Sequence, residues 1–155
     1  MTICDSVTAI ISTMALVFAA VSLVQGLIEY RKQGIAKRTE MFLQMRSRLR
    51  EDPTFSKICS LLETDNVKLR EIPLVERDRF IGFFEELALM KNSGLMNNHV
   101  ALYMFGYFAI RCYDSRNFWY DLNRDQPLWS LFMDFAVQMK VAQSNFRYNR
   151  SDFRL

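Results

Sequence analysis

Residues 7–28 form an apolar run of 22 residues, VTAIISTMALVFAAVSLVQGLI, with no charged side chain in it. A helix needs roughly 20 such residues to cross the hydrocarbon core of a bilayer. Backbone polar groups find no water there, so a run like this must close its own hydrogen bonds as a helix. The run predicts a transmembrane helix over 7–28, ending at Glu29-Tyr30-Arg31-Lys32. A cleaved leader would carry a basic start and a shorter apolar core of about 7–15 residues. Neither is present, so an anchor is the expectation.

The charges suggest which way the anchor points. Asp5 precedes the run, with no Lys or Arg beside it, whereas Arg31, Lys32, Lys37, Arg38, Arg46, Arg48 and Arg50 follow. Basic residues stay on the cytoplasmic side, so residues 1–6 are expected outside and the rest within. Arg31, Lys32, Lys37 and Arg38 are then the residues nearest the membrane surface, with lipid as their partner. The overall charge is only +3, from 20 Lys+Arg against 17 Asp+Glu, without the concentrated basic face of a nucleic-acid binder.

Beyond the span the apolar residues recur at steps of three and four. Residues 29–50 read as a basic helical extension carrying Ile35, Met41 or Phe42, Met45 and Leu49. Asp52-Pro53 stops it and opens a helix over 54–63, since Pro suits the first helical position after an Asp cap. That helix presents Phe55, Ile58, Leu61 and Leu62, and a polar turn follows at residues 64–66. Pro73 stands near the start of a third helix with Phe80, Phe83, Phe84, Leu87 and Met90, closed by Gly94 as a left-handed cap. Asn97 caps a fourth, with Leu102, Phe105, Ala109, Ile110 and Tyr113, whose end blurs toward Phe118-Trp119-Tyr120. Pro127 opens a fifth, with Leu128, Leu131, Phe132, Phe135, Val137 and Met139, and residues 145–155 are a polar, basic, loosely held tail. No strand-like alternation or internal repeat appears. The expected fold is all-α: one N-terminal transmembrane helix (7–28) continuing through 29–50 into a cytoplasmic bundle of four to five helices within 51–144. The aromatics are expected to be its core.

Inside the span, Thr8, Ser12, Ala15, Ala19, Ser22 and Gly26 are spaced four, three, four, three and four apart. This is a seam of small or weakly polar residues, which lets membrane helices approach closely and hydrogen-bond across the contact. Three readings stay open: a plain anchor, since such residues are common in spans; self-association into a homo-oligomer; and, in a large ring, a water-facing pore lining.

Elsewhere the chemistry is sparse. Glu85 and Glu86 are neighbours about 100° apart on a helix and cannot form a close catalytic pair; one is expected to turn inward and meet an Arg such as Arg111. The segment over 111–120 mixes Arg111, Arg116 and Asn117 with Trp119, and an Arg among aromatics can stack on RNA bases. The same segment reads equally as a buried helix end, so a nucleic-acid partner stays open. His99 is the lone histidine, with no nucleophile motif beside it. Cys4, Cys59 and Cys112 are far apart with no Cys-x-x-Cys or Cys/His spacing, which leaves a zinc site unsupported and reduced, mostly buried thiols as the expectation, with Cys4 at the outer membrane edge as the open exception. With no glycine-rich phosphate loop or GxSxG, no catalytic residue, metal or cofactor is expected, and the chain reads as a non-enzyme.

The stretch RFIGFFEELALMKNSGLMNNHVALYMFGYFAIRCYDS, residues 79–115, follows a span and a basic helix. In that setting it resembles small bacterial membrane-anchored helical proteins of the DUF4760 type. A more distant resemblance is to the membrane accessory protein of type VI-B CRISPR systems, with one N-terminal span and a helical domain related to HEPN folds. These resemblances imply the bacterial inner membrane, a cytoplasmic domain, and an oligomeric pore acting in antiviral phage defence beside a protein partner. An anchored regulatory module without a pore, or a divergent HEPN-like RNA-binding module, are the alternatives. HEPN ribonucleases carry an Arg and a His with four to six residues between them; no Arg stands so placed before His99, which argues against RNA cleavage.

Overall fold

The computed structural model of the chain describes residues 3–149, and side chains from residue 14 onward. The chain separates into two units, Met1–Thr39 and Glu40–Leu155.

The described part of the first unit is helical throughout and belongs to α1 (Ile3–Glu51). Residues 14–33 are exposed without exception. Among the described residues this helix is long and apolar enough to cross a membrane, and no part of its apolar stretch is buried in the chain. Ile35, expected to face a core, is exposed.

The second unit begins with the end of α1, whose Leu49 is buried and whose Met41, Phe42 and Met45 pack on the core. Asp52 turns the chain. Its carboxylate accepts from the Thr54 and Phe55 N–H groups at 2.9 and 3.1 Å, and Pro53 takes the first position of α2 (Pro53–Leu62). These are the donors that an unfinished first turn leaves orphaned. A short 3₁₀ turn over Val67–Glu71, capped by Asn66, leads to Pro73 and α3 (Leu74–Asn92). Gly94 follows α3 with φ of 70°, the left-handed geometry that glycine adopts without penalty.

Helix α3 is the centre of the core. Phe80, Ile81, Phe83, Phe84 and Leu87 have no exposed surface. Their rings meet edge to face, Phe80–Phe84 and Phe83–Phe84 at 5.2 Å, with Phe55 of α2 at 5.3 Å from Phe80. The aromatic quadrupole favours this geometry over flat stacking. Phe132 and Phe135 extend the cluster from α6 (Ser130–Ser144).

The fourth expected helix is α4 (Asn98–Ala101), a π-helical turn over Leu102–Gly106, and α5 (Tyr107–Asp114). Asn97 caps it by accepting from Val100 N–H at 2.8 Å. At Gly106 a Cβ would stand 2.7 Å from Leu102 Cδ1, within the same wide turn, so a side chain there would force Leu102 to move; Met139 Sδ of α6 would be in ordinary contact at 3.6 Å. The helix does not run through residues 118–120: it ends at Asp114, and Ser115 leaves it in extended geometry. Pro127 opens a 3₁₀ turn before α6 rather than α6 itself. Leu128 and Val137, expected in the core, are exposed. At the start of the tail, Phe146 packs on the core, so that part is held. Residues 150–155 lie outside the described residues.

Candidate functional site

Ala15, Ala19, Ser22 and Gly26 lie on exposed helix in the first unit, and nothing in the chain approaches within 4 Å of the Cβ position of Gly26. Their spacing puts them on one face. Thr8 and Ser12, the outer end of the same seam, have side chains outside the described residues, as does Cys4. Arg31, Lys32 and Lys37 are exposed; Arg38 is half-buried and its Nε donates to the Gly34 carbonyl at 3.4 Å.

In the second unit the structure does not gather Arg111, Arg116, Asn117 and Trp119 into a ligand surface. Trp119 is 5% exposed, its Nε1 donates to the Cys112 carbonyl at 2.8 Å, and its ring packs on Trp129 and Phe132. A base cannot stack on it, which corrects that expectation. Asn117 is occupied too: its Oδ1 accepts from Arg70 Nε at 2.7 Å, and its Nδ2 donates to the Asp65 carbonyl. Arg111 stacks on Tyr107. Arg116 donates its backbone N–H to Asp65 Oδ2 at 3.2 Å and is exposed. The segment is a structural clamp. Asp65, at a positive φ of 47°, receives Ser115 Oγ and the N–H groups of Arg116 and Asn117. Partial burial pushes the Asp65 carboxyl up, but those hydrogen bonds outweigh it and hold it below its ordinary value of 3.8.

The acidic pair also differs from expectation. Glu86 meets Arg48 at 2.7 Å rather than Arg111. Glu85 is pushed up by burial, although the Phe132 N–H bonded to it opposes this; nearby Asp78 adds to the rise. Phe132 is the third residue of α6, and the residue before α6, Trp129, supplies no side-chain cap. Glu85 therefore caps α6 from across the core.

Two features had no forecast. The first is Arg77, 2% exposed, which donates Nη1 to the Phe118 carbonyl at 2.8 Å and grips Asp121 with Nη1 and Nη2 at 2.7 and 3.1 Å. Its place between Pro73 and Phe80 on the apolar side of α3 was the available signal. The second is a cavity of about 620 Å³ in the second unit. Arg46, Arg50, Ser56 and Tyr103 supply its polar groups, and Leu49, Phe105 and Phe108 its apolar wall. The i, i+4 spacing of Arg46 and Arg50 was the legible hint. Cys59 also lines it, its thiol pushed up to about 12 by burial and by Glu63. Cys112, buried and likewise free, is raised by burial and by Cys59. Thiols held protonated in this way are poor nucleophiles and poor metal ligands. Among the described residues no cluster of three or more His, Cys, Asp or Glu is placed to hold a metal ion.

No family model, curated protein or solved structure matches the chain.

Proposed function

We propose that this is a single-pass membrane protein that self-assembles through its span and acts on the membrane itself. The bare apolar face of α1 carries the reading. Leu16, Phe18 and Leu23 are 73%, 76% and 67% exposed, and Val17, Val21, Val24, Leu27 and Ile28 join them. Covering eight such side chains is worth on the order of 10–20 kcal/mol, at roughly 1.5–3 kcal/mol each. Lipid supplies that cover around most of the helix, and a second copy supplies it along the seam of Ala15, Ala19, Ser22 and Gly26. The basic residues after the span support a cytoplasmic placement of the domain, and the family resemblance implies a bacterial inner membrane. In a ring large enough to admit water, the seam faces the lumen and the assembly is a pore; the resemblance to the CRISPR accessory protein supports a role in phage defence.

The test is the mass of the detergent-extracted particle. The expected result is a defined multimer that Ala19→Leu and Ser22→Leu reduce to monomer while membrane insertion persists. A monomer in the unaltered protein overturns the assembly. Ion flux across proteoliposomes separates a pore from a closed assembly.

A second reading, an anchored protein-binding module, is favoured by one surface of the second unit. Exposed Leu74, Val75 and Leu128 surround a groove of about 370 Å³, with Asp78 and Asp121 at its edge. On that reading Val75→Asp releases a co-purifying partner without changing the particle's own assembly.

A further inference from the structure

We propose that the cavity formed by the end of α1, α2 and the π-helical turn binds a phosphate ester carrying a flat ring, a ligand of mononucleotide size. This goes beyond the membrane role and does not depend on it.

The phosphate end is argued from charge. Three arginines stand close together on α1, and they are not equivalent. Arg48 is committed: it pairs with Glu86 at 2.7 Å and its guanidinium lies over the Phe55 and Phe83 rings at 5.6 and 5.7 Å. Arg46 and Arg50 line the cavity, and neither makes an ion pair or side-chain hydrogen bond among the described residues. They are one turn apart, where like charges repel along a helix. No Asp or Glu lines the cavity to offset them. Guanidiniums carry forked donors that match phosphate oxygens, and Ser56, on the same lining as Arg46 and Arg50, carries a hydroxyl.

The ring end is argued from the backbone. Tyr103 and Phe108 are five residues apart. At 100° per residue an α-helix would put them about 140° apart, on different sides. The π turn over Leu102–Gly106 intervenes. Its wider i to i+5 closure brings both residues round to the cavity, with Phe105 between them. Single π turns within helices are frequent at functional sites. Aromatic walls of this kind hold flat rings by stacking. A volume of about 620 Å³ falls inside the usual range of roughly 300–1,000 Å³ for small-molecule sites. Cys59 stays a neutral thiol at the cavity wall and does not repel an anion.

The experiment uses the full chain in detergent micelles, titrated calorimetrically with AMP, GMP, CMP and UMP, and separately with adenosine and inorganic phosphate. At least one nucleotide is expected to bind, with adenosine and phosphate each weaker by tenfold or more. Arg46→Gln and Arg50→Gln should each weaken the nucleotide by about tenfold. Phe108→Leu should weaken the nucleotide and leave phosphate binding unchanged. Arg116→Gln, an exposed arginine elsewhere, should change nothing. The melting temperature of each ligand-free variant shows whether it is folded. Nanodiscs of phosphatidylglycerol added as competitor identify the source of the phosphate: displacement assigns it to a lipid headgroup, and no displacement to a soluble nucleotide. If no probe binds below millimolar concentration, or if the folded Arg46→Gln/Arg50→Gln protein binds as well as the original, the proposal fails.

Discussion

Replacing Arg77 separates the work of a buried hydrogen bond from that of an ion pair. The side chain is 2% exposed, whereas its partner Asp121 is 56% exposed. Water therefore re-solvates Asp121 once the guanidinium is gone, and the pair itself is worth at most about 1 kcal/mol. The Phe118 carbonyl has no such recourse. It belongs to a residue with no exposed surface, and Arg77 Nη1 is its donor at 2.8 Å. Leaving a buried acceptor unsatisfied costs about 1–3 kcal/mol. Arg77→Met keeps the apolar stem and removes both polar contacts, so its expected cost is about 2 kcal/mol. Arg77 Nε is itself buried without a partner, and losing that orphan recovers part of the cost. Arg77→Ala adds an unfilled space beside Phe80 and Phe118 and should reach about 4 kcal/mol. Asp121→Asn, which retains an acceptor, should cost about 0.5 kcal/mol. For a unit of this size 1 kcal/mol corresponds to about 4 °C in melting temperature. Near-ultraviolet circular dichroism of Trp119 and Trp129, recorded in detergent, follows the melt where the change is felt. If Asp121→Asn lowered the midpoint as far as Arg77→Met, charge rather than the Phe118 carbonyl would hold the loop, and the reasoning would be refuted.

The capping role of Glu85 predicts that Glu85→Ala lowers stability by about 1 kcal/mol in chemical denaturation, while Glu85→Gln, which still offers an acceptor to Phe132, is neutral or slightly stabilising at pH 7. Acid should act in two directions. The Asp121 carboxyl, bonded to Arg77, lies below its ordinary 3.8, as does Asp65, so both contribute fully above that value and lose their contribution as pH falls through their lower folded values. Glu85, raised above 4.5, favours the fold when protonated, so its contribution is present below 4.5 and is lost as pH rises through its higher folded value. Melting temperature against pH should therefore fall steeply below pH 3.8, and the Asp65→Asn/Asp121→Asn protein should show a flatter acid limb; an unchanged limb would contradict the clamp. Iodoacetamide should leave Cys112 unmodified in the native protein at pH 8, where it is covered, and label Cys59 only slowly because its thiol stays protonated, while denaturant exposes both to rapid labelling.

Local signals were the legible ones. Asp52-Pro53, Asn97 and Gly94 ended and began helices where their backbone chemistry required, and Phe80, Phe83, Phe84 and Leu87 gave the core face of α3 by period alone. Errors gathered where three-dimensional partners decide. Leu128 and Val137 have the right residue type and spacing, yet they are exposed, because period says which residues share a face and not which face is covered. Trp119 read as a ligand platform because Arg111 and Arg116 are its neighbours in sequence. Its indole finds the Cys112 carbonyl seven residues back, a pairing that exists only once the chain turns at Ser115.

The same limit explains why the basic stretch on α1 hid a distinction. Arg46, Arg48 and Arg50 alternate along one segment and look like a single solvated face. Helical geometry divides them, since residues two apart point about 160° away from one another while residues four apart nearly align. Arg48 is thus directed to Glu86 and the Phe55–Phe83 rings, and Arg46 and Arg50 to the cavity. The partner of Arg48 is 38 residues away in sequence, and the aromatic side of the cavity, Tyr103, Phe105 and Phe108, is more than fifty residues from Arg46. No periodicity reaches that far. The division therefore makes its own prediction: Glu86→Gln should destabilise the fold with little effect on anion binding, and Arg50→Gln should do the reverse. A single solvated basic face would instead show neither effect.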